Sequence, residues 1–325
     1  MTGVKCWQVA PQYGPTFNPT HLIRQAVDAA LGQSYANKVV TVVDDASTDE
    51  TASVLRPYHA DPNFNYIRLK KNAGTAQAKN IGLLFSAADA WTFHDSDDIP
   101  HRDKVLRQAR VMANPEIGAH PSLNWRLSGR RPDTLIQLGA VLAHHEILLP
   151  DGQRVEIRRT LSLVDDFFPN LQMAAGVPGD WTHVNSGLFH HSVFQRLGGF
   201  ADCIEEDREF RNRLIMAGEA IWVIPELLLT KIETSDSLTQ SAQTDYDSER
   251  RRTDRRNVWD KVEHWFATRQ VTPVPIDLPD LAVAAFTNRR FATRSAVLKS
   301  SATERLVDQA IAQYADQSRL HKRAV

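Results

Sequence analysis

Three carboxylates, Asp95, Asp97 and Asp98, fall within four positions of the segment Phe93-His94-Asp95-Ser96-Asp97-Asp98. Acids this close repel one another unless a cation or several N–H donors compensate them. Hard divalent ions take oxygen ligands and bridge to phosphate oxygens, commonly through one or two carboxylates. The chemistry on offer is a metal-held diphosphate, its charge neutralised as it leaves. A solvated acidic loop is the plainer alternative for an acid run.

Two further constellations could do chemistry. Residues 42–49, Val-Val-Asp-Asp-Ala-Ser-Thr-Asp, put paired acids after a β-branched run. Asp45 is able to accept from the N–H of a pyrimidine base, while Ser47 and Thr48 can cap a following helix. A turn with an N-cap explains the same residues without any ligand. A receiver domain also ends a strand in an acid pair, but its other signatures are absent at workable spacing. Downstream, Gly198-Gly199-Phe200 leads to Glu205-Glu206-Asp207 and then to Arg213-Leu214. Acids are favoured at a helix start by the macrodipole. They could equally supply a general base that takes the proton of an attacking hydroxyl.

The elements that must position these groups alternate. Strands are expected at 7–10, 39–43, 66–69 and 90–93, with helices at 21–31 (capped by Thr20), 49–58 and 76–88. This is the order of a mostly parallel, Rossmann-like sheet with flanking helices. Ligands bind outside the carboxyl ends of such strands, and Asp44-Asp45 and Asp95 to Asp98 both fall on that edge. That placement favours the site over the solvated loop. Residues 135–149 and 153–163 read as strands facing an acceptor. Residues 193–197 and 207–217 read as helices, the second stopped by Gly218. A last strand, 221–224, ends before Pro225. Residues 280–314 read as helical, and the arginines of 248–256, interleaved with acids, as a solvated helix. The adjacent pairs His144-His145 and His190-His191 would point to opposite faces of a strand and are taken as structural.

The totals exclude several classes. With 38 basic and 39 acidic residues among 325, no general nucleic-acid affinity is expected. Two distant cysteines, Cys6 and Cys203, form neither a disulfide framework nor a zinc knuckle, which points to a reducing, cytoplasmic setting. No signal-peptide core or spanning segment is seen, so membrane contact is expected to be peripheral at most.

The ordered set resembles glycosyltransferase family 2, whose members have the GT-A fold and invert the sugar. The residues that carry the resemblance are 42–49 with Thr51, Asn72-Ala73-Gly74 with Ala78-Lys79-Asn80-Ile81-Gly82, Asp95 to Asp98 with Pro100, and Gly198-Gly199-Phe200 with Glu206-Asp207 and Arg213-Leu214. The resemblance implies a GT-A domain over residues 1–240, with about 1–110 as the nucleotide-sugar half and 111–240 as the acceptor half. A helical C-terminal extension, 241–325, would follow. It implies that Asp45 meets the nucleobase of a UDP-linked sugar. It implies that Asp95, Asp97 and Asp98 hold the ribose and a Mn²⁺ or Mg²⁺ on the diphosphate, with Asp97 and Asp98 as metal ligands. Asp207 would be the catalytic base. Lys79, where the family usually has arginine, would support phosphate binding or else snorkel at the surface. Trp181, Asn185 and Glu206 would shape the acceptor pocket, the acceptor being an unidentified hydroxyl.

The chain departs from the family twice. Pro11-Gln12-Tyr13-Gly14 replaces the usual end of the first strand, and Thr234 stands where many members have a metal-binding histidine before Ser237. Two rivals are weighed. A sugar nucleotidyltransferase needs a glycine-rich basic loop, but residues 10–19 hold one glycine and no Arg or Lys. A non-catalytic sugar-nucleotide-binding or scaffolding member would keep the fold without the base.

Overall fold

A computed structural model describes residues 4–10, 20–85, 88–118, 136–158, 184–233, 248–276 and 283–286. Trp181, residues 11–19 and the Thr234-to-Ser237 segment lie outside the described residues. So does most of the expected 280–314 helix.

The first half alternates as its hydrophobic pattern requires. Strand β1 (Val4–Ala10) is followed by α1 (Thr20–Leu31), β2 (Lys38–Asp44), α2 (Thr51–Leu55) with a 3₁₀ turn at Arg56–Ala60, and β3 (Phe64–Leu69). Helix α3 (Thr75–Leu84), β4 (Ala90–Asp95) and β5 (Asp98–Pro100) come next. Strand β2 is buried along nearly its whole length because it lies between β1 and β3 with both faces covered. Its uninterrupted Val-Val-Thr-Val-Val run is the sequence form of that position.

Helices α4 (Lys104–Ala113) and α5 (Pro115–Gly118) lead to β6 (Ala140–Leu148) and β7 (Arg154–Ile157). A short 3₁₀ turn at Val184–Ser186 precedes β8 (Leu188–His190), α6 (His191–Leu197), α7 (Glu206–Met216) and β9 (Ile221–Ile232). Helix α8 (Glu249–Thr268) and β10 (Val283–Phe286) complete the described chain.

All the strands among the described residues join one sheet, in the order β10-β3-β2-β1-β4-β8-β6-β9-β5, with β7 on β6. The sheet is mixed, with its longest ladders parallel. β3-β2-β1-β4 and β6-β9 pair in parallel, while β10, β8, β5 and β7 join antiparallel. Two expectations change. Strand β9 runs through Pro225 instead of ending there, because the β6–β9 register skips from Ala143–Ile224 to His144–Leu227. Pro225 thus sits in a bulge, where its missing N–H costs no ladder bond. Residues 283–286, expected helical, form an edge strand on β3.

An aromatic cluster fixes the second half on the first. Phe93 of β4 meets Phe200 edge-on at 4.9 Å, and Phe200 lies 4.6 Å from Phe210 of α7. Phe194 stacks on Phe210 at 5.5 Å. All four rings are buried. The strand that ends in the acid run and the helix that begins with Glu206-Asp207 therefore share one core.

Candidate functional site

At the carboxyl end of β2, both acids are engaged by backbone. Asp44 Oδ1 accepts from the Ser47 N–H at 2.7 Å and Oδ2 accepts from the Tyr66 hydroxyl at 2.5 Å. Asp45 Oδ1 accepts from the Ala73 N–H at 2.7 Å, and Oδ2 from the Gly74 N–H at 2.8 Å and Asn72 Nδ2 at 2.5 Å. Burial raises the Asp45 carboxyl above its ordinary range, against the pull of those two N–H groups. Its three bonds leave one of about four carboxylate acceptor positions for a ligand N–H. The segment Asn72-Ala73-Gly74 is thus the clamp on Asp45.

At the end of β4 the acid run closes into a tight turn. Asp98 is fully buried, and its Oδ2 accepts from the Asp95 N–H at 3.0 Å and from Asn185 Nδ2 at 2.6 Å. Its Oδ1 is buried without a hydrogen-bond partner among the described residues. Burial, with Asp98 and Asp95 beside it, pushes the Asp97 carboxyl up. Burial and Asp95 do the same to Asp98, and Lys231 opposes both shifts. Lys231 pairs opposite Asp98 in the β5–β9 register. It was hidden from sequence reasoning because the strand seemed to stop at Pro225, although the apolar run at Leu227, Leu228 and Leu229 was the available signal.

These observations bear on the metal. An orphaned buried carboxylate oxygen and acids held above their ordinary range describe a site short of positive charge, which a divalent cation would supply. Among the described residues, no group of three or more His, Cys, Asp or Glu already converges as a metal centre. The residues fit a cation that completes its shell with ligand phosphates and water. Asp97 retains 8% exposure, whereas Asp98 has only Oδ1 uncommitted.

At the start of α7, Glu206 is buried and accepts from Lys79 Nζ at 3.1 Å. Lys79 is 2% exposed, which removes the alternative that it snorkels at the surface. Burial alone would lower its ammonium, but Glu206, Asp95 and Asp207 together hold it well above the ordinary lysine range. Glu206 is pushed up by burial and opposed by Lys79. Asp207 is half-buried, with Oδ1 accepting from the Arg208 N–H at 2.7 Å. Lys79 thus stands in the field of both acid motifs.

The glycines and Arg213 of the third motif have structural work. Gly198 has φ +77°, and a Cβ there would lie 1.8 Å from the Val274 carbonyl oxygen. Asn80 brackets Phe200, accepting from its N–H at 2.8 Å and donating to its carbonyl at 2.9 Å. Arg213 donates to the carbonyls of Leu197 and Gly199 and forms a fully buried pair with Glu209 at 2.8 Å.

Of the expected acceptor residues, Trp181 lies outside the described residues. Asn185 is 1% exposed and bonded to Asp98, and Glu206 is committed to Lys79. Each is thus paired with another side chain of the site. The two histidine pairs sit in different settings. His144 and His145 lie on β6 at a bulge. His190 and His191 straddle the end of β8 and the start of α6, so their rings come within 4.3 Å rather than facing apart. His190 Nδ1 accepts from the Ser192 N–H and caps α6.

Comparison with known proteins agrees with this geometry. The family model "Glycosyl transferase family 2" matches residues 15–168. An N-acetylglucosaminyltransferase of Rhizobium sp. (strain N33) is 30% identical over 248 residues, which is 70% of this chain and 51% of that protein. A putative teichuronic acid biosynthesis glycosyltransferase of Bacillus subtilis, TuaG, is 33% identical over 99 residues, covering 30% of this chain and 39% of the relative. An uncharacterized glycosyltransferase of Rickettsia felis is 31% identical over 109 residues, 33% of this chain and 18% of its own length. The chain therefore spans about half or less of these relatives. In fold it is similar to residues 1–349 of TarS from S. aureus in complex with UDP, with a TM-score of 0.50 and 14% identity over 81% of this chain and 72% of that one. Residues 15–168 are therefore similar in sequence to glycosyl transferase family 2, and the α/β fold described above agrees with that match.

Proposed function

We propose that this chain is an inverting glycosyltransferase that moves a sugar from a nucleoside diphosphate sugar, with uridine as the nucleoside, to an acceptor hydroxyl. The observation that carries the reading is the buried Lys79–Glu206 ion pair at 3.1 Å, which ties α3 to the start of the helix that bears Asp207, with Asp95 and Asp207 both favouring the same ammonium. A donor diphosphate held at Asp95 would present its anomeric carbon toward Asp207.

Asp207 is the general base in this reading. The acceptor oxygen bonds to the anomeric carbon while its proton passes to the Asp207 carboxylate. The bond from the sugar to the diphosphate breaks, and its electron pair leaves on the phosphate oxygen. Asp45 orients the base through its remaining acceptor position, and Asp95 orients the ribose. Asp97, with Asp98 Oδ1, would hold a Mn²⁺ or Mg²⁺, which supplies charge neutralisation for the departing diphosphate. Lys79 sets the charge balance beneath it. No helix among the described residues is long and apolar enough to cross a membrane.

UDP-N-acetylglucosamine is the first donor to test, given the name of the Rhizobium relative. With Mn²⁺ the wild-type chain should release UDP, and the Asp207→Asn variant should keep the donor-induced rise in melting temperature while losing release. Full turnover in that variant overturns the base. A donor-induced rise with no release in the wild type identifies the non-catalytic binder.

A further inference from the structure

We infer that α8, beyond the residues matched by the family model, is a strut for the catalytic helix, with Arg251 and Arg255 as positioning residues for Asp207. The inference rests on Asp207 being the base.

Three consecutive acids, Glu205, Glu206 and Asp207, open α7. Their charge is partitioned. Glu206 has Lys79. Glu205 is 3% exposed and accepts from Arg208 Nε at 2.5 Å, Arg251 Nη1 at 3.3 Å and Arg255 Nη2 at 3.3 Å. No ion pair within 4 Å involves Asp207 among the described residues. The acid read as the base is the one left without a committed cation, because its two predecessors hold theirs.

Glu205 also occupies the N-cap of α7, yet its side chain caps no helix N–H. It is turned toward the two α8 arginines and Arg208. A second tie lies one residue earlier, where the Ile204 N–H donates to Asp254 Oδ2 at 2.8 Å. A third lies one turn later, where Lys261 approaches Glu209 at 3.7 Å. Glu209 pairs with the Arg213 that holds the Leu197 and Gly199 carbonyls. Four residues of α8 at helical spacing, 251, 254, 255 and 261, thus fix positions 204, 205 and 209 on both sides of Asp207. Val258, Val262 and Trp265 are the buried apolar residues of α8. The arginines expected to be solvated divide: Arg250, Arg252 and Arg256 are exposed, while Arg251 and Arg255 face α7.

The test uses the full chain with R251A/R255A, the rescue variant R251K/R255K, and E205Q, which removes the buried charge without orphaning it. Hydrogen exchange over residues 204–210 should quicken about tenfold in R251A/R255A and E205Q, with residues 22–31 unchanged. UDP release from UDP-N-acetylglucosamine should fall about tenfold in kcat with KM within about twofold, and the lysine variant should recover most of it. Unchanged exchange overturns the strut. Quickened exchange with unchanged kcat, or equal losses in kcat and donor binding, overturns the positioning role. Wild-type turnover in Asp207→Asn beside a loss in R251A/R255A overturns the base alone.

Discussion

Lys79 Nζ lies 3.1 Å from Glu206 Oε1, and both side chains are buried. This ion pair joins α3, packed on β1 and β2, to the helix that carries Asp207. Losing one partner leaves an uncompensated buried charge, which typically destabilises by roughly 3–5 kcal/mol. Lys79→Met should therefore cost about that much in urea unfolding, and adding Glu206→Gln should return most of it. Additive losses in the double variant would show that the two side chains do not act as a pair.

Asn185 and Asp98 make the corresponding link under the acid run. Asn185→Ala removes one of the two donors to Asp98 Oδ2, and leaving a buried acceptor short costs about 1–3 kcal/mol. The acid turn should also loosen, so UDP affinity measured by calorimetry with Mn²⁺ is expected to drop. Unaltered affinity would mean that the Asp95 N–H alone sets the turn.

Gly198 tests the third motif. Its positive φ disfavours any side chain, and a Cβ would collide with the backbone at Val274. Gly198→Ala should lose at least about 2 kcal/mol of unfolding free energy, since the strain and the clash add. A loss below about 0.5 kcal/mol, the range of ordinary surface changes, would contradict the packing described for this turn.

His145 sets a pH dependence. Burial first, then Lys231 and His144, lower it from 6.5 to about 4 in the folded protein. The unfolded chain takes up the proton near pH 6.5 while the folded chain stays neutral to about pH 4. The neutral ring's contribution is thus complete above pH 6.5 and is lost as pH falls through that window. By linkage it amounts to at most about 3 kcal/mol. Comparing wild type with His145→Gln by urea melts between pH 7.5 and 4.5 should show the two curves converging toward low pH. Parallel curves would exclude His145 as a source of the acid sensitivity.

Metal removal gives the last prediction. UDP at about 100 times its dissociation constant should stabilise the chain by about 2.7 kcal/mol with Mn²⁺ present. With EDTA most of that gain should vanish, because the Asp97 and Asp98 carboxylates would face the diphosphate unscreened. An unchanged melting shift in EDTA would remove the metal from the site.

Much was legible in the residues themselves. The Val-Val-Thr-Val-Val run could only be a strand covered on both faces, and Asp44-Asp45 had to follow at its carboxyl end. The acid run after β4 and the acidic start of α7 were equally local signals, as was the order in which the motifs occur. These follow from side-chain chemistry over a few neighbouring positions, which the chain carries into any fold. The choice among neighbouring acids was decided only by tertiary packing. Asp98 is occupied because Asn185, distant in sequence, lands on it, and Lys79 is buried because Glu206 arrives to meet it. Strand β9 passes Pro225 because β6 bulges to receive it. Arg251 and Arg255, indistinguishable in sequence from their exposed neighbours, became part of the site when α8 turned that face toward Glu205. In each case the partner comes from a distant segment, and burial then gives a contact its weight by withdrawing the water that would otherwise have answered the same charge.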